Sequence, residues 1–208
     1  MTSNITLDRS AGSHTLAAAG QRVRSKAERR TQVRIIEQCR LVDVFGEWGI
    51  HEGEERLQLP SGTFDGVDRL LNGVEVALTR RSPLAWRVLA GWPMAVLRIE
   101  ISPDDVPALR IANGTTVDDW TTAVLKDQTD SGAHVRRLAD AAAPVAGPLV
   151  CTAQTADGTV TNLKPPIVIF DGWHRAAGWI AQLRSGQTYS ITGQLVVTEH
   201  PVPLLGSG

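Results

Sequence analysis

The chain has 208 residues, a formal net charge of −1, 42% hydrophobic residues and 21% charged residues. That length holds one domain with a full core, or one small domain with an appendage, and the composition excludes a disordered or fibrous chain. The near-zero charge excludes a globally basic nucleic-acid binder and leaves that role to a local basic patch.

Residues 1–18 are small and polar and predict a disordered arm. From Gln21 basic residues crowd the chain, among them Arg29, Arg30, Arg34 and Arg40. Ile35, Cys39 and Val42 recur at helical spacing, so a basic amphipathic helix is expected, ending near Gly46 or Gly49. The next stretch reverses sign with Asp43, Glu47, Glu52, Glu54, Glu55, Asp65 and Asp68. A charge run usually marks a solvated face, so the helix is expected to pack beside this acidic segment. The alternative is that Arg29, Arg30 and Arg34 meet a DNA backbone. Residues 70–92 fit either a strand or a helix, punctuated by Pro83 and Pro93, and a boundary falls near Gly91. The expected organisation is therefore an arm over 1–18, an extension over 19–91 and a domain over 92–205.

Past that boundary the signals sharpen. Met94 to Glu100 predicts a strand and Ser102-Pro103-Asp104 a turn. Thr116 followed by Asp119 predicts a capping box opening a helix that carries Trp120 and Val124. His134 to Ala143 predicts a second helix stopped by Pro144. Leu149 to Gln154 reads as a strand and Asp157-Gly158 as a hairpin turn. Ile167 to Phe170 is an apolar run short enough for a buried strand, Arg175 to Arg184 a helix capped by Gly186, and Tyr189 to Thr198 a last strand. Trp48, Trp86, Trp92 and Trp120 are expected in the core or at an interface. His14, His51 and His200 are expected in exposed segments.

Cys39 and Cys151 form no C-x-x-C pair and the histidines are scattered, so no metal site is expected. Without a signal peptide, isolated cysteines point to the cytoplasm. No apolar run approaches the roughly 18 residues that span a bilayer, so no integral membrane segment is expected. Peripheral association at the inner membrane stays open.

The run from Ile167 through Asp171, Gly172, Trp173, His174 and Arg175 is a buried strand entering a helix through a tight turn. Such a junction aims unpaired N–H groups and the positive end of the helix dipole at one spot, where an anion is the natural occupant. Gly172 permits close approach. His174 and Arg175 add side-chain donors, the latter with the planar fork that suits phosphate. The plain alternative is that Asp171 caps the helix, His174 bonds a carbonyl and Arg175 is a surface charge.

The segment Gly172-Trp-His-Arg-Ala-Ala resembles the motif of the ParB/sulfiredoxin superfamily, G-x-H-R before a small residue at a helix start. Trp92 to Arg98 is similar to the first sulfiredoxin strand, and Gly132 to Asp140 to the first helix of that fold. The resemblance covers roughly residues 92–200. It implies an α/β fold, α+β in detail, with a mixed sheet and flanking helices. It also implies nucleotide phosphates held by Gly172, Trp173, His174 and Arg175, with His134 and Arg137 reaching in from the facing helix. Trp173 stands where sulfiredoxins carry the catalytic cysteine, so sulfinic-acid repair is not expected. Too little chain follows the helix for the DNA-binding domain of partition proteins.

A compact, stand-alone domain of this kind resembles the plasmid-encoded fertility-inhibition proteins of the Osa type. That likeness implies ATPase and DNase activity, catalysed by His174, Arg175 and Asp171. It implies ATP and Mg²⁺ as ligands, the ion helped by Asp171 or Asp140. It names a component of a conjugation or type IV secretion apparatus as partner. Two other functions remain: a non-catalytic DNA- or protein-binding module, and a small-metabolite kinase of the free-serine type with Glu100 as base. Lys164, just before Pro165-Pro166, is a further candidate at the rim.

Overall fold

The run Ile167–Phe170 has no polar face to offer water, so it requires cover on both sides. A computed structural model, describing residues 33–60, 62–80, 82–147 and 149–204, supplies that cover with an α/β fold. Its six-stranded mixed sheet consists of β1 (Arg34–Cys39), β2 (Pro93–Ile101), β3 (Leu109–Ile111), β4 (Leu149–Thr155), β5 (Leu163–Asp171) and β6 (Ile191–Thr198). The order across the sheet is β1-β2-β6-β4-β5-β3. The helices are α1 (Leu41–His51), α2 (Arg69–Arg80), α3 (Ser82–Ala90), α4 (Val117–Lys126), α5 (Asp130–Ala139) and α6 (Trp173–Arg184).

Alternate residues of each central strand serve opposite layers. Ile167, Ile169, Leu195 and Val197 join Trp179 and Ile180 of α6 in one cluster. Their neighbours Val168, Phe170 and Val196 join Phe45 and Trp48 of α1 and Val88 of α3 in another. The helices before Gly91 thus seal one face of the sheet built by the strands after it, and β1 pairs with β2 across the same point. Removing α1 would expose the Phe170 ring, fully buried at present. A large apolar side chain stabilises by roughly 1.5–3 kcal/mol when buried.

The stretch expected to continue a basic helix behaves differently. Residues 34–39 form an edge strand antiparallel to β2, and α1 begins only at Leu41. The β-branched Ile35 and Ile36 suit a strand, and β2 offers a free row of backbone groups. The flanking charges pair across the two strands, Arg34 with Glu100 at 3.1 Å and Arg98 with Glu37 at 2.8 Å. Arg40 is held by Asp43 at 2.6 Å. Arg29 and Arg30 lie outside the described residues.

The undecided stretch at 70–92 is helical, as α2 and α3. Glycines set how α1 meets α2: a Cβ built on Gly49 would lie 1.7 Å from the Gly73 carbonyl oxygen. Trp86 and Trp92, expected in the core or at an interface, are 57% and 67% exposed and so lie outside the core.

Near the site the expectations hold more closely. Thr116 caps α4 by accepting from the Asp119 N–H at 3.0 Å. At the end of α6, the Gln187 N–H donates to the Gln182 carbonyl and the Gly186 N–H to that of Leu183, the two bonds of a Schellman motif. Helix α5, however, starts at Asp130 and ends at Ala139, well before Pro144. The reason is tertiary. The buried Gln182 side chain donates from Nε2 to the carbonyls of Leu138, Ala141 and Ala143, drawing the chain out of helix. The Asp157-Gly158 turn forms within a longer loop linking the antiparallel β4 and β5.

Candidate functional site at the N-terminus of α6

Strand β5 ends at Asp171, and Gly172 turns the chain into α6 with φ of 84°. That left-handed conformation costs an L-residue roughly 1–2 kcal/mol and costs glycine nothing comparable. A Cβ there would also lie 2.8 Å from Leu149 Cδ2. Gly172 is itself the N-cap, and no side chain closes the helix end. Asp171 is therefore not the cap. Its carboxylate accepts from Arg175 Nη2 at 3.2 Å.

Adjacent residues on a helix project about 100° apart, and His174 and Arg175 part company accordingly. Arg175 folds back beneath Gly172 toward the α1 layer. There its Nη1 donates to Nε2 of His51 at 2.8 Å, which makes that imidazole nitrogen an acceptor. The side chain is only 16% exposed, and its Nε is buried with no acceptor among the described residues. His51 was expected in an exposed segment but is half-buried at this junction, directly before a π-helical turn at Glu52–Arg56. Arg175 thus joins α6, β5 and α1.

His174 faces the opposite layer. Its ring meets Trp120 of α4 edge-on at 5.7 Å and His134 of α5 at 5.5 Å. Arg137 lies one turn beyond His134 on α5, with Nη2 3.4 Å from His134 Nδ1. An Nδ1 that accepts from a guanidinium puts the imidazole proton on Nε2 as a donor. Trp173 completes the corner, donating its indole N–H to the Ile169 carbonyl at 2.8 Å and packing edge-on to Trp120 at 6.3 Å. Helices α5 and α6 therefore bring His134, Arg137 and His174 together at a helix N-terminus, beside Trp173 and the Trp120 of α4. Two imidazoles and a guanidinium can donate to an anion, and an imidazole can also move a proton.

The remaining candidates lie elsewhere. Arg34 is on the edge strand, with β2, β6 and β4 between it and β5. Glu100 pairs with that arginine from β2, three strand spacings from β5, or ~14 Å at the usual separation. Lys164 is exposed near the start of β5, seven residues or ~23 Å of strand from Asp171. Cys151 is fully buried, and desolvation pushes its thiol far above the ordinary range, so it is no nucleophile in the native fold. Among the described residues, no group of three His, Cys, Asp or Glu side chains is placed to hold a metal ion, and no helix is long and apolar enough to cross a membrane.

Trp120 and His51 are the two contributors that sequence reasoning did not place at the site. Trp120 sits three residues into the helix that Thr116 caps, which was legible, but its contact with His174 depends on how α4 crosses α6. Comparison with protein-family models, curated proteins and solved structures finds no match for this chain.

Proposed function

We propose that this chain binds a nucleotide with its phosphates at the N-terminus of α6, and that it hydrolyses a phosphoanhydride or phosphodiester there. The observation that supports this best is the convergence of His134 and Arg137 of α5 on His174 in the first turn of α6, a helix end uncapped by any side chain. The first N–H groups of such a helix lack intrahelical acceptors, and the dipole favours negative charge in front of them.

In this reading Arg137 and the imidazole donors neutralise charge developing on the phosphoryl oxygens. One imidazole takes the proton of the attacking water as the bond from phosphorus to the leaving oxygen breaks. Arg175 acts as a positioning residue, because its guanidinium is already engaged by Asp171 and His51. Asp171, committed to that ion pair, does not fit a metal ligand. A Mg²⁺ ion would be bound chiefly by the phosphates and water, as is usual for that cation.

Resemblance to the ParB/sulfiredoxin superfamily points to the same turn, with ATP as ligand. Resemblance to the fertility-inhibition branch extends the proposal to DNA cleavage and to restraint of conjugative transfer through a type IV apparatus. DNA docking by a basic helix draws no support from Arg34, which forms an edge strand and pairs with Glu100.

The test measures ATP binding and hydrolysis with Mg²⁺, with plasmid DNA as a parallel substrate. Wild type is compared with His174→Ala, His134→Ala and Arg137→Ala. Turnover reduced at least tenfold in these variants, with unchanged melting temperature, is the expected result. Wild type that neither binds nor hydrolyses would overturn the proposal, and so would histidine variants as active as wild type.

A further inference from the structure

Beside the phosphate-binding corner, a groove of about 350 Å³ runs between α4 and α5, lined by Trp120, Ala123, Val124, Asp127 and Ser131. Its volume lies at the low end of the ~300–1,000 Å³ typical of small-molecule sites. Trp120 is shared by the groove and the corner, since the same indole contacts His174. On α5, Ser131, His134 and Arg137 follow at three-residue intervals and so lie along one side of the helix, from the groove to the corner. On α4, the floor runs from Trp120 to Asp127, seven residues or ~10 Å of helix. That length suits a nucleobase and sugar extending from a phosphate at His174.

The two ends differ in chemistry. The corner carries imidazole and guanidinium donors. The far rim carries the Asp127 carboxylate, which accepts from the Thr129 N–H at 2.9 Å and the Thr129 hydroxyl at 2.7 Å. These bonds, the hydroxyl's first, favour the charged form and hold its pKa below the ordinary carboxylate range, so it stays ionised at neutral pH. Each oxygen spends one lone pair on Thr129 and keeps another. A base edge that meets this carboxylate needs two adjacent donors. Guanine has them, at N1–H and the exocyclic N2 amine. Adenine and cytosine set a ring-nitrogen lone pair beside their amine, and uracil flanks its single N–H with two carbonyls. Each of the latter three would press an acceptor against a fixed anion.

We infer that the α4–α5 groove is the base subsite of the proposed nucleotide site and selects guanine, with Trp120 packing on the base and Asp127 reading its N1–H and N2 edge. The inference rests on the phosphate reading of the corner and adds the identity of the base.

The experiment is equilibrium binding of GTP, ATP and XTP, each with Mg²⁺, to the full chain. Wild type is compared with Asp127→Asn, Trp120→Ala and His174→Ala. Wild type is expected to bind GTP at least tenfold more tightly than ATP. Asparagine keeps an acceptor for Thr129 and for N1–H, but presents an amide donor where guanine has its amine and xanthine has a carbonyl. Asp127→Asn is therefore expected to reverse the GTP-over-XTP preference, a gain that a misfolded variant cannot mimic. Trp120→Ala is expected to weaken GTP at least fivefold. Equal binding of GTP and ATP, lost in His174→Ala but unchanged by either groove substitution, would overturn the base assignment and leave the phosphate reading intact. No binding of any nucleotide by wild type would overturn both.

Discussion

Gln182 is fully buried in α6, and its side chain holds α5 against α6. Nε2 donates to three carbonyls at 2.9–3.1 Å, those of Leu138, Ala141 and Ala143. Its Oε1 accepts from the Tyr189 hydroxyl, which in turn accepts from the Val145 N–H at 2.9 Å. Substituting leucine conserves much of the volume but removes every donor and acceptor. The two amide hydrogens and the tyrosine hydroxyl amount to three hydrogen bonds. At ~1 kcal/mol net each, Gln182→Leu is expected to cost about 3 kcal/mol, tempered by water reaching the freed carbonyls. For a chain of 208 residues that corresponds to a drop in melting temperature of ~6–12 °C. Gln182→Glu is expected to be worse, since a carboxylate would confront three carbonyl oxygens. Urea unfolding followed by tryptophan fluorescence measures the effect, provided the m-value is unchanged. A loss below ~1 kcal/mol for Gln182→Leu would refute the network's role. Because His134 and Arg137 ride on α5, the same variant should also weaken the phosphate binding proposed for that corner beyond what the unfolded fraction accounts for.

Four further expectations follow from packing and burial. Gly172→Ala imposes the left-handed penalty and a contact with Leu149, and should cost ~2 kcal/mol in denaturant titrations. Gly49→Ala meets backbone of α2 that cannot yield, so it should cost ~3 kcal/mol or more despite the ~1 kcal/mol gain in helix propensity; a neutral result would show that α1 and α2 sit further apart. Arg175→Ala leaves the Asp171 carboxylate in a mostly buried position without its guanidinium, and should lower stability by about 3 kcal/mol; loss of activity at unchanged stability would instead make Arg175 a ligand contact. Native alkylation read by mass spectrometry should modify the half-buried Cys39 and spare Cys151, with both reacting in denaturant; comparable native rates would contradict the buried position of β4.

The α/β class was legible because its signals are local. The apolar run at 167–170, the Thr116 cap, the Gly172 turn and the Gly186 stop each depend on a few neighbouring residues and their backbone preferences. The proximity of His134 and Arg137 to His174 is a tertiary contact between α5 and α6, and there the hint came from resemblance rather than from spacing. What remained hidden depended on partners distant in sequence. Residues 34–39 have helical periodicity, yet β2 offers a strand edge that outweighs it, and 66 residues separate Arg34 from Glu100. Helix α5 has no stop signal at Ala139; Gln182, 41 residues away from Ala141, ends it from outside. Asp171 and Arg175 looked alike as cap and phosphate ligand until His51, 124 residues from Arg175, drew the guanidinium to the other layer. The sequence by itself determined which segments are strands and helices around the α6 turn and which residue types gather there. Only the tertiary structure decided which way each side chain of that turn faces, because direction is set by the layers that α1, α4 and α5 place on either side of it.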